Sequence, residues 1–136
     1  VSVAWSLPVG FCGPRSGPFL AEHYASGDLF LFPSLTETYG NVVAEALASG
    51  LPVVAYRDAA ARELIEHQVH GWLAEPGDEA AFVAGAVALA EAPELRSRQR
   101  LAARERVASL AWQAIVERLV TLQRQVILSS PVTARR

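Results

Sequence analysis

The chain has 136 residues, about half of them apolar (51%) and 19% charged, with a net charge of −2. That is one small domain or part of a larger one, with enough apolar side chain for a real core. No apolar run approaches the roughly 20 residues of a membrane span, and no segment has the order of a signal peptide. A single cysteine, Cys12, excludes an internal disulfide and is expected to be a buried structural thiol in a reducing compartment.

The net charge hides an asymmetry. Residues 1–93 carry three arginines against eleven acids, whereas residues 94–136 carry nine arginines against three glutamates, and there is no lysine. Arginine and alanine usage of this kind fits a GC-rich bacterial genome. The basic half is expected to solvate a helix face, with an anionic membrane surface as the alternative and no nucleic acid as a partner. The chain opens on Val1 in a strand-like region, which suggests an excised piece.

In chain order, Val9–Cys12 reads as a strand ending at Gly13, followed by a turn-rich loop to Pro18. Phe19–Ala25 has helical spacing, with Gly27 as its C′ residue. Leu29–Phe32 is an apolar strand that Pro33 ends. A helix is predicted from about Asn41 to Ser49 and stopped by Gly50. Val53–Tyr56 is another strand, and a helix is predicted from about Ala59 to His67. Gly71–Ala74 is a short strand and Pro76-Gly77 a turn. Asp78 caps a helix to about Ala92, and Glu94–Ser109 is helical. Trp112–Leu128 is predicted as a last helix, with Trp112, Ile115, Leu119, Leu122 and Val126 on one face. The polar end 129–136 is expected to be disordered. Apolar strands alternating with helices predict an α/β fold, a doubly wound parallel sheet, over residues 1–110, with extra C-terminal helices.

Ligands of such sheets bind outside the carboxyl ends of the strands, where helix N-termini converge. The loop between Phe32 and Asn41 lies there. A helix N-terminus offers unpaired N–H groups and partial positive charge, which suits a phosphate, and Gly40 lets a ligand approach the backbone. Glu37 precedes the helix, and Glu45 lies one turn inside it, about 6 Å from Asn41 along the axis. A carboxylate accepts paired hydrogen bonds from vicinal hydroxyls. Glu37 could thus hold a sugar at one end of a diphosphate and Glu45 a ribose at the other. Outside this context, the two glutamates would read as a helix cap and a solvated charge. His23, His67 and His70 have no metal-ligand spacing and read as structural or surface residues.

The segment from Asp28 to Ala55, DLFLFPSLTETYGNVVAEALASGLPVVA, resembles the E-x7-E signature of the family 4 retaining glycosyltransferases, with seven residues between Glu37 and Glu45. Glu63-Leu64-Ile65, His70–Leu73, Pro76–Asp78 and Leu110–Trp112 also fit, so the resemblance covers about residues 9–128. It implies the Rossmann-like donor-binding half of a GT-B enzyme. Glu37 would contact the transferred sugar as the catalytic residue. The amides of Thr38, Tyr39, Gly40, Asn41 and Val42 would meet sugar hydroxyls and the distal phosphate. Glu45 would bind ribose, and Pro14 and Arg15 would lie near the nucleobase.

The resemblance further implies a nucleotide-diphospho-sugar as donor, with GDP-mannose suggested by the loop Tyr56–Glu63. No metal or other cofactor is expected, and anomeric configuration is retained. The acceptor, a glycan or lipid, would be met through an N-terminal domain that this chain lacks. A cytoplasmic location is expected, with peripheral membrane contact. The family's Gly-Gly pair is absent after Val53-Val54-Ala55. Its basic diphosphate-binding pair comes from a loop upstream of this segment. A non-catalytic module of the same fold is therefore the alternative expectation.

Overall fold

A computed structural model of the chain describes residues 9–35, 41–110, 116, 119–121 and 125. The element order is α1 (Gly17–Ser26), β1 (Phe30–Phe32), α2 (Asn41–Ala48), β2 (Val53–Tyr56), α3 (Ala59–Leu64), β3 (Gly71–Ala74), α4 (Glu79–Ala90) and α5 (Pro93–Ala108). The strands form one parallel sheet in the order β1-β2-β3, with Phe30 opposite Val53 and Val53 opposite Gly71. This is the predicted α/β architecture.

Right-handed crossovers that step in one direction place their helices on one face of the sheet. α2 and α3 therefore share a face. Alternation along β2 then divides the core in two. Val53 and Ala55 point into a cluster with Val43, Leu47, Ala61 and Ala103, against which Tyr24 of α1 also packs. Val54 and Tyr56 point the other way, into a cluster with Phe82 and Leu89 of α4. All four residues of β2 are buried, which explains a strand with no polar position.

Two glycines are set by close approach. A Cβ on Gly71 would lie 2.0 Å from the Val53 carbonyl oxygen, so β2 and β3 pair closely only because that side chain is missing. A Cβ on Gly85 would lie 2.3 Å from Cδ1 of Trp72, whose indole rests on α4.

Several boundaries differ from the sequence reading. Residues 9–16 are irregular, not a strand, and Phe11 is 94% exposed. A strand needs a ladder partner, and β1 pairs only with β2 among the described residues. Cys12 is exposed in this segment, not buried. Gly27 has φ −75 and is not a left-handed C′ residue; its Cβ position lies 3.2 Å from Leu51. α3 stops at Leu64, short of His67, because the chain must turn back into β3. Gln68 takes φ +66, and the His70 Nδ1 accepts from the Glu66 N–H at 3.0 Å, closing that turn. The Asp78 cap is as expected, its carboxylate accepting from the Ala81 N–H at 2.9 Å. Of the predicted last helix, residues 116, 119–121 and 125 are helical, with Leu119 exposed; Trp112, Ile115, Leu122 and Val126 lie outside the described residues, as does the 129–136 tail.

The arginines of α5 do not simply solvate a face. Arg96 donates to the Leu89 carbonyl at 2.6 Å and also to that of Ala90, at the end of α4. Arg100 donates to Gly50 O at 3.2 Å and Gly27 O at 2.9 Å, after α2 and α1. Arg104 reaches Ser49 O at 3.4 Å. Arg106 reaches Leu64 O at 3.3 Å and Glu63 O at 2.8 Å, at the end of α3. Cations thus sit on the partial negative charge where α1, α2, α3 and α4 end. Buried Gln99 adds a hydrogen bond, its Nε2 donating to Gln68 O at 3.0 Å.

Candidate functional site at the mouths of helices α1 and α2

The α5 contacts fix the polarity of the domain. Gly27 and Gly50 follow the ends of α1 and α2 and precede β1 and β2, so these helices end beside the amino ends of the strands. Their N-termini face the opposite, carboxyl edge of the sheet. That edge is where a doubly wound domain takes its ligand.

Pro14 and Arg15 are exposed in the irregular segment that enters α1. Asn41, exposed, and Val42, half-buried, are the first two residues of α2. These four residues therefore share the carboxyl end of the domain. Glu37, Thr38, Tyr39 and Gly40 lie outside the described residues.

Glu45 is exposed on the α1-facing side of α2, while Val43, Ala46 and Leu47 are buried. Its carboxylate neighbours Tyr24 across the space between the two helices. The Tyr24 ring packs on Phe30, with centroids 5.7 Å apart, which aims the hydroxyl. Burial, then the hydrogen bond and charge of Glu45, push the Tyr24 hydroxyl above its ordinary 10.0. The pair stands in a groove of about 390 Å³ between the two helices, lined by Gly17, Leu20, Ala21 and Ser49 among others. A carboxylate has lone pairs beyond those one phenol uses. Glu45, exposed beside Tyr24, is thus able to accept from a ligand's hydroxyls.

Arg57 and Glu75, which follow β2 and β3, form an ion pair at 2.9 Å across the same end. Their side chains are 41% and 70% exposed, so this links two loops without much stabilisation. The histidines each bond the backbone. His67 Nδ1 accepts from the Leu73 N–H at 3.0 Å, His70 closes its turn, and His23 bonds the Phe19 carbonyl at 2.7 Å. Among the described residues no cluster of His, Cys, Asp or Glu has the arrangement of a metal site. No helix among them is long and apolar enough to cross a membrane.

Tyr24 was not singled out by sequence reasoning, because a tyrosine in an apolar helix reads as packing. The signal for the α5 contacts was present: Arg96, Arg100 and Arg104 recur every four residues and so share one helical face.

The fold and this edge define a doubly wound α/β domain with a groove that holds Glu45 between two helices whose N-termini face the ligand side. Residues 4–92 match the family described as glycosyl transferases group 1, and the chain belongs to that family. It is 38% identical over 116 residues to the sulfoquinovosyl transferase SQD2 of Arabidopsis thaliana, covering 83% of this chain and 23% of that protein. It is 40% identical over 110 residues to a GDP-mannose-dependent alpha-mannosyltransferase of Mycobacterium tuberculosis, covering 81% and 29%. Among solved structures, Anabaena HepE in complex with UDP superposes with a TM-score of 0.62 at 30% identity, over 74% of this chain and 29% of that one. The chain thus spans less than a third of the length of these relatives.

Proposed function

We propose that this chain is the donor-binding part of a family 4, GT-B, retaining glycosyltransferase, carrying the E-x7-E pair Glu37 and Glu45. The full-length protein transfers a hexose, mannose-like or glucose-like, from a nucleotide-diphospho-sugar to a glycan or lipid acceptor. The observation that carries this is Glu45, exposed one turn inside α2, whose N-terminus faces the ligand edge of the sheet, in a groove shared with Tyr24 of α1. The mannosyltransferase relative and the UDP-bound neighbour support a nucleotide-sugar as the ligand.

In this reading Glu45 accepts hydrogen bonds from the ribose hydroxyls. The amides of Thr38 to Val42 and the N-terminus of α2 meet the diphosphate and the sugar. Glu37 holds the sugar hydroxyls at the reacting centre, and Pro14 and Arg15 flank the base. The sugar–phosphate bond breaks and the acceptor oxygen attacks from the same face. The departing phosphate takes the acceptor proton, so configuration is retained without a covalent enzyme intermediate. Donor phosphates are neutralised by protein groups and not by a metal. The acceptor binds on a further domain of the full-length protein, which works in the cytoplasm with peripheral contact to the membrane.

Steady-state transfer with GDP- and UDP-sugars tests the proposal. Glu45→Ala should raise the donor KM by roughly ten- to a hundredfold, because hydrogen bonds to a charged group are worth about 1.5–3 kcal/mol. Glu37→Ala should lower kcat more than it raises KM. Transfer at the unsubstituted rate and KM by both variants refutes the assignment.

A further inference from the structure

Arg100 uses all three guanidinium nitrogens between two helices. Nε donates to Gly50 O at 3.2 Å, beyond α2, and Nη2 to Gly27 O at 2.9 Å, beyond α1, while Nη1 stands 3.9 Å from Asp28 Oδ1. These carbonyls close the amino edge of the sheet, opposite the ligand edge. The same two helices carry the two halves of the groove, Tyr24 on α1 and Glu45 on α2. α1 has no buried residue of its own, so little apolar packing fixes where it lies against α2. A planar fork bonded to carbonyls just beyond both helices supplies that constraint.

We infer that Arg100 is a positioning residue, whose bridge between the C-termini of α1 and α2 sets the spacing of the Tyr24–Glu45 groove between them. The inference rests on the reading of Glu45 as a donor contact only in its kinetic consequence; the bridging itself concerns the two helices. A lysine keeps the charge but is a point donor and does not hold two carbonyls in one plane. Arg96 is the matched control. It makes the same kind of bonds to the end of α4, on the other face of the sheet, and touches neither wall of the groove.

The experiment compares R100K and R96K in the full-length protein. It reads the donor KM, kcat, the thermal midpoint, and the titration of Tyr24 followed by carbon-13 tyrosine NMR. R100K should raise the donor KM on the order of three- to tenfold with kcat little changed, the size expected of a change transmitted through packed elements. It should also bring Tyr24 down toward 10.0, as the helices part and water enters. R96K should lower the thermal midpoint comparably and leave both readouts in place. Equal changes in KM for both variants overturn the inference, because they would mark general loosening. An unmoved KM in R100K, where Glu45→Ala does raise KM, overturns it too. If Glu45→Ala leaves KM unmoved, the donor reading fails separately, and the Tyr24 titration decides the bridge: unshifted in R100K, the inference is wrong.

Discussion

Replacing Glu45 by glutamine tests whether the groove is organised as the structure shows. The perturbation keeps size and hydrogen-bonding capacity but removes the charge that Tyr24 meets. Three causes hold the Tyr24 hydroxyl above 10.0: burial first, then the hydrogen bond to Glu45, then its charge. Glu45→Gln deletes the last and weakens the second, so the phenol should titrate lower but stay above its ordinary value. The energetic effect is small. Glu45 is exposed, and exposed charged contacts contribute about 0.2–1 kcal/mol. The sign with pH follows from linkage. The folded state binds the phenolic proton more tightly, so this stability is fully present below pH 10 and is lost as pH rises through the elevated value. Carbon-13 NMR of labelled tyrosine measures it, with Tyr24→Phe assigning the resonance against Tyr39 and Tyr56. A Tyr24 titration identical in the parent and in Glu45→Gln refutes the contact. With it goes the claim that Glu45 neighbours Tyr24 across the groove.

His70 gives a prediction at the acid side. Burial, then the charge of Arg106, hold its imidazole below the ordinary 6.5, against a smaller opposing effect of Glu66. The folded state thus disfavours the proton, so stability is present above pH 6.5 and is lost as pH falls through the depressed value. In thermal melts between pH 8 and pH 5, about the range in which histidine charges, His70→Asn should flatten this loss, since its amide oxygen can still accept from Glu66 N–H. An unchanged slope would assign the loss to other groups. Gly71→Ala and Gly85→Ala separate a backbone collision from a side-chain one. At Gly71 the new Cβ meets Val53 O at 2.0 Å and the strands must part, which should cost about 3 kcal/mol or more in denaturant unfolding. At Gly85 it meets the Trp72 indole, which can shift, and the helix gains about 1 kcal/mol of propensity, so the net loss should be under about 2 kcal/mol. Equal losses at the two sites would show that the strand contact is not the tighter one.

The sheet was legible because its strands are apolar at every position and bounded by glycine and proline, as in Pro52-Val53-Val54-Ala55-Tyr56, and the helix starts because Asp78 and Pro93 carry local signals. What failed depended on partners distant in sequence. Val9–Cys12 has strand composition, but composition does not supply a neighbouring strand, and in its absence the segment and Cys12 lie open. α3 was drawn too long because nothing local announces that Gln68 takes a left-handed turn; Gln99, 31 residues on, holds its carbonyl. The part of the basic half on α5 that holds Arg96, Arg100, Arg104 and Arg106 escapes a local reading for the same reason. Its charge is visible in sequence, but its targets are backbone carbonyls, which every residue possesses and which therefore leave no mark. Those carbonyls explain why the domain spends its arginines on α5. Four helices end at one edge of the sheet, and each leaves acceptors and partial negative charge there. The N-termini of α1 and α2 point to the far edge, away from these guanidinium groups. The edge proposed to receive a diphosphate is thus the one α5 leaves uncovered.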